Sequence, residues 1–501
     1  MLTVLVVILA LAFIFKIHVR NKYSYWQTKK IPYVQPHFPL GNAENPFSRK
    51  RHFGEWLQML YRKFREQNTK LAGIYIGTSP YYFPVDPDVI KCIIQTDFHH
   101  FPDRGFYYNE KDDPLSAHLC VIGGEKWKNL RAMLTPTFTS GKMRMMFDTL
   151  LKCTDPMEKS MSEVGEKGLP VDIKDVAARF TTDVVGSCAF GLECNSFESV
   201  DAAFRVHGRK IFSPRTKMET LKILFLTASP VWGRRLGLSL FPKESTEFFF
   251  NIVKQTVEYR RGNGIHRNDI LQILMEVGES DGEHSLTIAE IAAQAFGFFV
   301  AGFETSSTTM SFFLYELALN ADLQQKVRDE IKLVLGKHAG KVTYEAIMEM
   351  KFMDQVISET LRKYPPLSFL TRQCVKNYRH PSHDVEIKTG DMILISLLAL
   401  HRDPEYFPDP ETFDPERFSD ENKNSIRPFS YIPFGGGPRG CLGVRFGRLQ
   451  TKVGLTCLLK NYSFSLNPKS RIPLTFDKYS FILSAEKPIF LNFEKLHAGR
   501  A

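Results

Sequence analysis

The chain opens on an apolar run from Leu2 to Phe15, broken only by Thr3 and closed by Lys16-Ile17-His18-Val19-Arg20. As a helix, residues 1–17 rise ~25 Å, the short end of a bilayer span. The basic residues Lys16, Arg20, Lys22, Lys29 and Lys30 follow the run, and His18 to Trp26 offers no small-x-small cleavage site. That order predicts a retained membrane anchor over 1–17 in preference to a cleaved signal. The positive-inside rule then puts the body in the cytosol. Residues 18–45 form a basic linker stiffened by Pro32, Pro36 and Pro39.

Beyond the linker, two β-rich runs between Leu71 and Val85 flank Thr78-Ser79-Pro80, a hairpin pattern. Helical periodicity dominates afterwards. The longest such pattern starts at Thr287-Ile288-Ala289-Glu290, with capping-box spacing, and runs without proline to about Asn320. It corresponds to ~50 Å of helix, apolar on nearly every face, which belongs in the centre of a domain. A further helix is expected from about Asp354 to Lys363, stopped by Tyr364-Pro365-Pro366. The last stretch is loop-rich, with short β-like runs near Met392–Leu398 and Ile489–Phe493. The expected class is mainly α with small β-sheets (α+β), and residues 46–501 read as one domain.

Composition changes this picture little. The net charge of +10 suits nucleic acid, an anionic membrane or an acidic partner. No nucleic-acid module is present, so membrane and acidic protein remain. The eight cysteines include no CxxC pair, which fits a reducing compartment without a disulfide framework. Forty-one phenylalanines provide either an aromatic core or a large apolar pocket.

Chemistry concentrates at Phe434-Gly435-Gly436-Gly437-Pro438-Arg439-Gly440-Cys441-Leu442-Gly443. Gly435, Gly437 and Gly440 have dinucleotide-fingerprint spacing, but Pro438 interrupts the turn, and Cys441 to Asn461 contains no acidic residue. The alternative is a loop whose glycines admit a flat cofactor, whose amides support the Cys441 thiolate, and whose Arg439 pairs an anionic edge. Phe434, Gly437, Arg439, Cys441 and Gly443 resemble the haem-binding loop of the cytochrome P-450 family. Further matches follow in the family's order: Trp127-x-x-x-Arg131, Ala301-Gly302-Phe303-Glu304-Thr305-Ser306, Glu359-x-x-Arg362, and Pro415-Glu416-Arg417-Phe418.

The resemblance implies the cytochrome P-450 fold, with a long helix crossing over haem b and Cys441 ligating the iron. Trp127, Arg131, Arg372 and Arg439 would donate to the haem carboxylates. His118 lies near the expected haem edge, although a lone histidine is often structural. Gly302 leaves room for dioxygen, Thr305 hydrogen-bonds it, and Glu304 helps relay protons; taken alone, the mid-helix threonine is also explained by a bend made by bonding to Ala301. Glu359, Arg362 and Arg417 form a structural brace. Residues 441–450 and 134–141 look most like the insect family-six microsomal branch. Many other family members carry Ala and Glu where Gly447 and Gln450 stand, a departure outside the ligand set.

By that resemblance the protein is a monooxygenase acting on small lipophilic xenobiotics, such as plant toxins or insecticides. It sits on the cytosolic face of the endoplasmic reticulum membrane and takes electrons from NADPH through a separate reductase, with cytochrome b5 as a further candidate donor. Lys126, Lys128, Arg131, Arg445 and Arg448 are the expected basic docking face. The expected pocket positions are Phe106, Leu115, Leu119, Phe298, Ala301, Phe369, Leu370, Phe481 and Ile482. A haem-thiolate isomerase or dehydratase is the same-cofactor alternative, disfavoured by the Glu304-Thr305 pair; a non-catalytic haem sensor is the other.

Overall fold

The computed structural model describes residues 2–199, 201–212, 216–279, 285–381 and 385–496, with side chains from residue 13 onward. The elements that position the site are helices α1 (Leu2–Tyr23), α2 (Phe53–Glu66), α3 (Gly124–Leu134), α4 (Ile173–Val185), α5 (Ile288–Leu319), α6 (Lys351–Lys363) and α7 (Val444–Asn461). The strands are β1 (Leu71–Ile76), β2 (Ser79–Pro84), β3 (Val171–Asp172), β4 (Phe369–Gln373), β5 (Met392–Ser396), β6 (Tyr462–Leu466) and β7 (Phe490–Lys495). They belong to a mainly helical chain with small sheets, as the sequence pattern predicts.

The chain divides into two compact units. The first comprises Met1–Gly105, Ser368–Asp403 and Arg427–Gly440. Its sheet has the order β1-β2-β5-β4, with β1/β2 and β4/β5 antiparallel and β2/β5 parallel. The β1–β2 turn falls at Gly77-Thr78, one step earlier than the sequence pattern predicts, because Gly77 takes a positive φ of 60° and Ser79 and Pro80 are already paired with Ile76 and Tyr75. Helix α2 is capped reciprocally by His52 and Glu55, and its apolar face (Trp56, Leu57, Leu60, Phe64) packs on Ala72, Ile74, Phe83 and Leu394. The expected anchor falls mostly on residues 1–12, whose side chains lie outside the described residues. Among the described residues no helix is long and apolar enough to cross a membrane.

The second unit comprises Phe106–Leu367, Pro404–Ile426 and Cys441–Ala501. Its axis is α5, 32 residues long, or ~48 Å at 1.5 Å per residue. The capping box is present: Thr287 accepts from the Glu290 amide, and Glu290 accepts from Thr287. Helix α4 lies along it, with Thr181 Oγ1 donating to the Phe303 carbonyl at 2.9 Å. The sheet β3-β7-β6 closes one side. Phenylalanines account for much of this core. Phe249 and Phe303 each sit 4.8 Å from the Phe299 ring, with Phe190, Phe204 and Phe296 packed around them. Each such pair adds about 0.5–1.5 kcal/mol beyond its buried area.

Candidate active site

Helix α5 is buried from Ile291 to Gly297 and again from Ser306 to Leu317. Between them it opens: Ala301 is exposed, and Phe298, Val300, Gly302, Glu304 and Thr305 are partly so. A helix through the middle of a core is accessible at its centre only where a cavity reaches it. Thr305 Oγ1 donates to the Ala301 carbonyl at 2.6 Å, the bend-making bond anticipated from sequence. Glu304 is held by Lys174 at the start of α4, whose Nζ lies 2.9 Å from Glu304 Oε1 and donates to Ser307 and Thr308 hydroxyls at 2.7 Å each. Burial pulls the Lys174 ammonium below its ordinary value, and the Glu304 carboxylate works against that pull.

Cys441 lies in the same unit, three residues before α7, and is exposed, whereas Cys153, Cys188, Cys374 and Cys457 are buried. Burial drives those thiols away from thiolate character, Cys153 and Cys457 to about 12 and Cys374 to about 11. Helix α7 lies against α5, where a Cβ added to Gly447 would come 3.9 Å from Ser306 Oγ. Thus the exposed thiol leads into the helix that touches the accessible turn. Trp127, buried, and Arg131, half-buried, share one face of α3 at i,i+4. His118 is buried against Gly297 of α5, with its Nδ1 lacking a hydrogen-bond partner.

The first unit carries the rest of the loop. Gly437 takes a φ of 63°, and any Cβ there would overlap the Ile94 carbonyl, so both backbone and space require glycine. Phe434 is half-buried. Arg439, 2% exposed, donates through Nε to the Pro102 carbonyl at 2.6 Å and pairs with Asp103 at 3.3 Å. Arg104 donates to the Arg439 carbonyl at 3.1 Å. Arg372 is 1% exposed, bonds the Thr371 carbonyl through Nη1, and leaves its Nε without a hydrogen-bond partner. Burial first, and then the charges of Arg104 and Arg439, push Arg372 down to about 9. A guanidinium keeps its proton in proteins, and an anion beside it would offset this burial. Buried arginines facing one another, with an orphan donor among them, fit the carboxylate edge of a haem.

Within the second unit the brace is assembled. Glu359 and Arg362 are both fully buried and joined by two hydrogen bonds of 2.7 Å each. The Asp414 amide donates to Glu359 Oε1 at 2.9 Å, and Arg417 Nε stands 3.7 Å from the same oxygen. Burial raises the Glu359 carboxyl, while Arg362, the Asp414 amide and Arg417 lower it. Of the expected pocket positions, Leu115, Leu119 and Ile482 are buried, whereas Phe106 and Phe481 are exposed. Phe298 is partly accessible, with its ring 5.3 Å from Phe138. Phe369 and Leu370, in β4 of the first unit, are half-buried. Arg104 and Lys174 carry no motif that would have singled them out in the sequence.

Residues 40–493 match the family model described as Cytochrome P450. The chain belongs to the cytochrome P450 family. It is 42% identical to the probable cytochrome P450 6a14 of Drosophila melanogaster over 99% of both chains. It is 41% identical to cytochrome P450 6a9 of the same fly, and 40% identical to cytochrome P450 6A1 of Musca domestica, over 95% of this chain in each case. The family makes this chain a haem-thiolate monooxygenase whose cofactor is haem b.

Proposed function

We propose that this monooxygenase hydroxylates small lipophilic xenobiotics, such as plant toxins or insecticides, with electrons from NADPH delivered by a separate flavin reductase. In net terms one oxygen atom of dioxygen enters a substrate C–H bond. The other leaves as water, consuming two electrons and two protons. The observation that carries the reading is the accessible Ala301–Thr305 turn of an otherwise buried helix, touched by the helix that begins three residues after Cys441. Haem b, bound through the Cys441 sulfur, supplies the reductive cleavage of dioxygen.

The chain's own residues do the rest. Within the first unit, Arg372, Arg439 and Arg104 would hold the cofactor's carboxylates. Thr305 keeps its oxygen lone pairs free to accept a hydrogen bond from a group carrying a proton, while its own hydrogen is engaged by Ala301. Glu304 brings that proton from outside: its partner Lys174 lines a cleft of about 210 Å³ with Asp172, Thr308 and Ser311. Apolar side chains at Phe298, Ala301, Phe106 and Phe481 orient the substrate and exclude water.

For reductase docking, Lys126 is drawn to Glu110 and Glu290 at 3.0 Å each, and Arg448 to Asp354 at 3.5 Å. Lys128 and Arg445 are exposed, although Lys128 pairs with Glu125 at 3.4 Å and Arg445 donates to the Phe138 carbonyl at 3.2 Å, and they carry the salt-dependent part of the encounter. Residues 1–17 anchor the protein in the endoplasmic reticulum membrane, with 18–45 as linker and 46–501 as the catalytic domain. Cytochrome b5 is a second electron donor by the same logic of an acidic partner.

The carbon monoxide difference spectrum of the reduced protein tests the ligand: a strongly red-shifted Soret band is expected, and it should vanish in Cys441→Ser. Reconstitution with reductase and NADPH tests the activity. Thr305→Ala is expected to release more peroxide per product, and unchanged coupling would remove its role.

A further inference from the structure

Helix α7 meets α5 through a residue that this chemistry leaves unused. Gln450 is fully buried, and its Nε2 donates to the Gly302 carbonyl at 2.9 Å and to Ser306 Oγ at 2.6 Å. Gly302 and Ser306 stand one helical turn apart and bracket Glu304 and Thr305. Gly447, one turn earlier on α7, also faces this turn, where an added Cβ would stand 3.9 Å from Ser306 Oγ, an ordinary van der Waals contact.

The turn needs holding. Thr305 Oγ1 donates to Ala301, Ser307 Oγ to Glu304 and Thr309 Oγ1 to Thr305, so three carbonyls of this segment each take a hydroxyl from three or four residues on. Such back-bonding loosens and bends helices. Lys174 restrains the turn from α4, and Gln450 restrains it from α7. The Gly302 carbonyl can only accept, so the α7 residue must donate. Gln450 does so at a cost, because its own Oε1 is buried without a hydrogen-bond partner. An aliphatic side chain of similar size would avoid that cost, so stability alone does not account for the amide.

We propose that Gln450 is a positioning residue for the monooxygenase reaction: its amide pins the Gly302–Ser306 turn, so that Glu304 and Thr305 keep the placement in which they pass a proton. The proposal rests on the reading of Thr305 given above. Gln450 itself touches neither substrate nor cofactor in this role.

The test uses the full-length, haem-loaded protein and its Gln450→Leu, Gln450→Met and Thr305→Ala variants. Backbone amide exchange over residues 299–310 is measured without reductase, alongside the thermal midpoint. Product and peroxide per NADPH are measured with reductase, and the carbon monoxide spectrum verifies the thiolate. For Gln450→Leu, exchange in this segment should quicken by roughly tenfold. Product per NADPH should fall by about threefold or more as the turn drifts, with the midpoint unchanged or raised. Gln450→Met keeps the length but loses the donor, so it should uncouple likewise; it also serves if the leucine variant does not accumulate. Unchanged exchange in 299–310 overturns the proposal. So does a lowered midpoint with coupling intact. If Thr305→Ala uncouples and neither Gln450 variant does, the Gln450 role falls alone; if Thr305→Ala stays coupled, the Thr305 reading falls first.

Discussion

Arg362 and Arg372 lie close in the sequence and both are buried, at 0% and 1% exposure, yet their surroundings are opposite. Arg362 grips the Glu359 carboxylate through two 2.7 Å hydrogen bonds, and the Asp414 amide completes that carboxylate. Arg372 has no carboxylate partner among the described residues, keeps an orphan Nε, and is pushed down to about 9 by burial and by Arg104 and Arg439. The first arginine is finished by the protein itself. For the second, we propose that a ligand's anion completes the charge. This contrast separates structural from binding arginines better than burial does, since burial is the same for both.

Removing Glu359 should produce the largest effect. Glu359→Ala strands the Arg362 guanidinium in the core at a cost of about 3–5 kcal/mol, read as a drop in the urea midpoint and in the yield of haem-containing protein. Arg372→Leu should move the other way in the apo-protein, leaving the midpoint unchanged or raised because a buried like-charge contact disappears. Haem retention should fall by roughly 10–100-fold, the worth of one charge-assisted hydrogen bond, measured as haem transfer to an excess of an apo acceptor. If apo Arg372→Leu were destabilised as Glu359→Ala is, both clusters would be structural and the contrast would collapse.

The two clusters also differ in how far the chain announces them. Glu359 and Arg362 are three residues apart on one helix, so their pairing follows from helical spacing before any tertiary contact is known. The Thr287 and Glu290 cap and the Cys441 loop are local in the same sense. Arg104, Arg372 and Arg439 converge only because β4 and two loops return to one place, and no periodicity links them. Lys174 reaches Glu304, and Gln450 reaches Gly302, across equally long separations. Gln450 stands out in the sequence as an unusual residue, but its contact does not follow from that. A phenylalanine in the sequence does not distinguish core from pocket, because the same ring serves both; the packed group around Phe299 shows that several belong to the core.

A third arginine group sharpens the rule at the smallest scale. Asp175 receives Arg179 and Arg205 at 2.6 Å each and Arg209 at 2.9 Å, so positive charge is in surplus here too. The Arg209 side chain is 52% exposed, however, and its charge reaches water, so no ligand is required. Burial raises Asp175, but the Arg179 hydrogen bond and the three positive charges outweigh it and leave the carboxyl below its ordinary value. A carboxyl depressed in the folded state contributes stability above its ordinary range and loses it as pH falls through the folded value. Asp175→Asn should therefore cost about 1 kcal/mol near neutrality, by urea unfolding. Its difference from the unsubstituted protein should stay flat from pH 7 to pH 5 and close once the ordinary carboxylate range (~3.9) is passed. A difference of 3–5 kcal/mol, equal to that of Glu359→Ala, would mean that access to water does not relieve surplus charge, and Arg372 would then need another explanation.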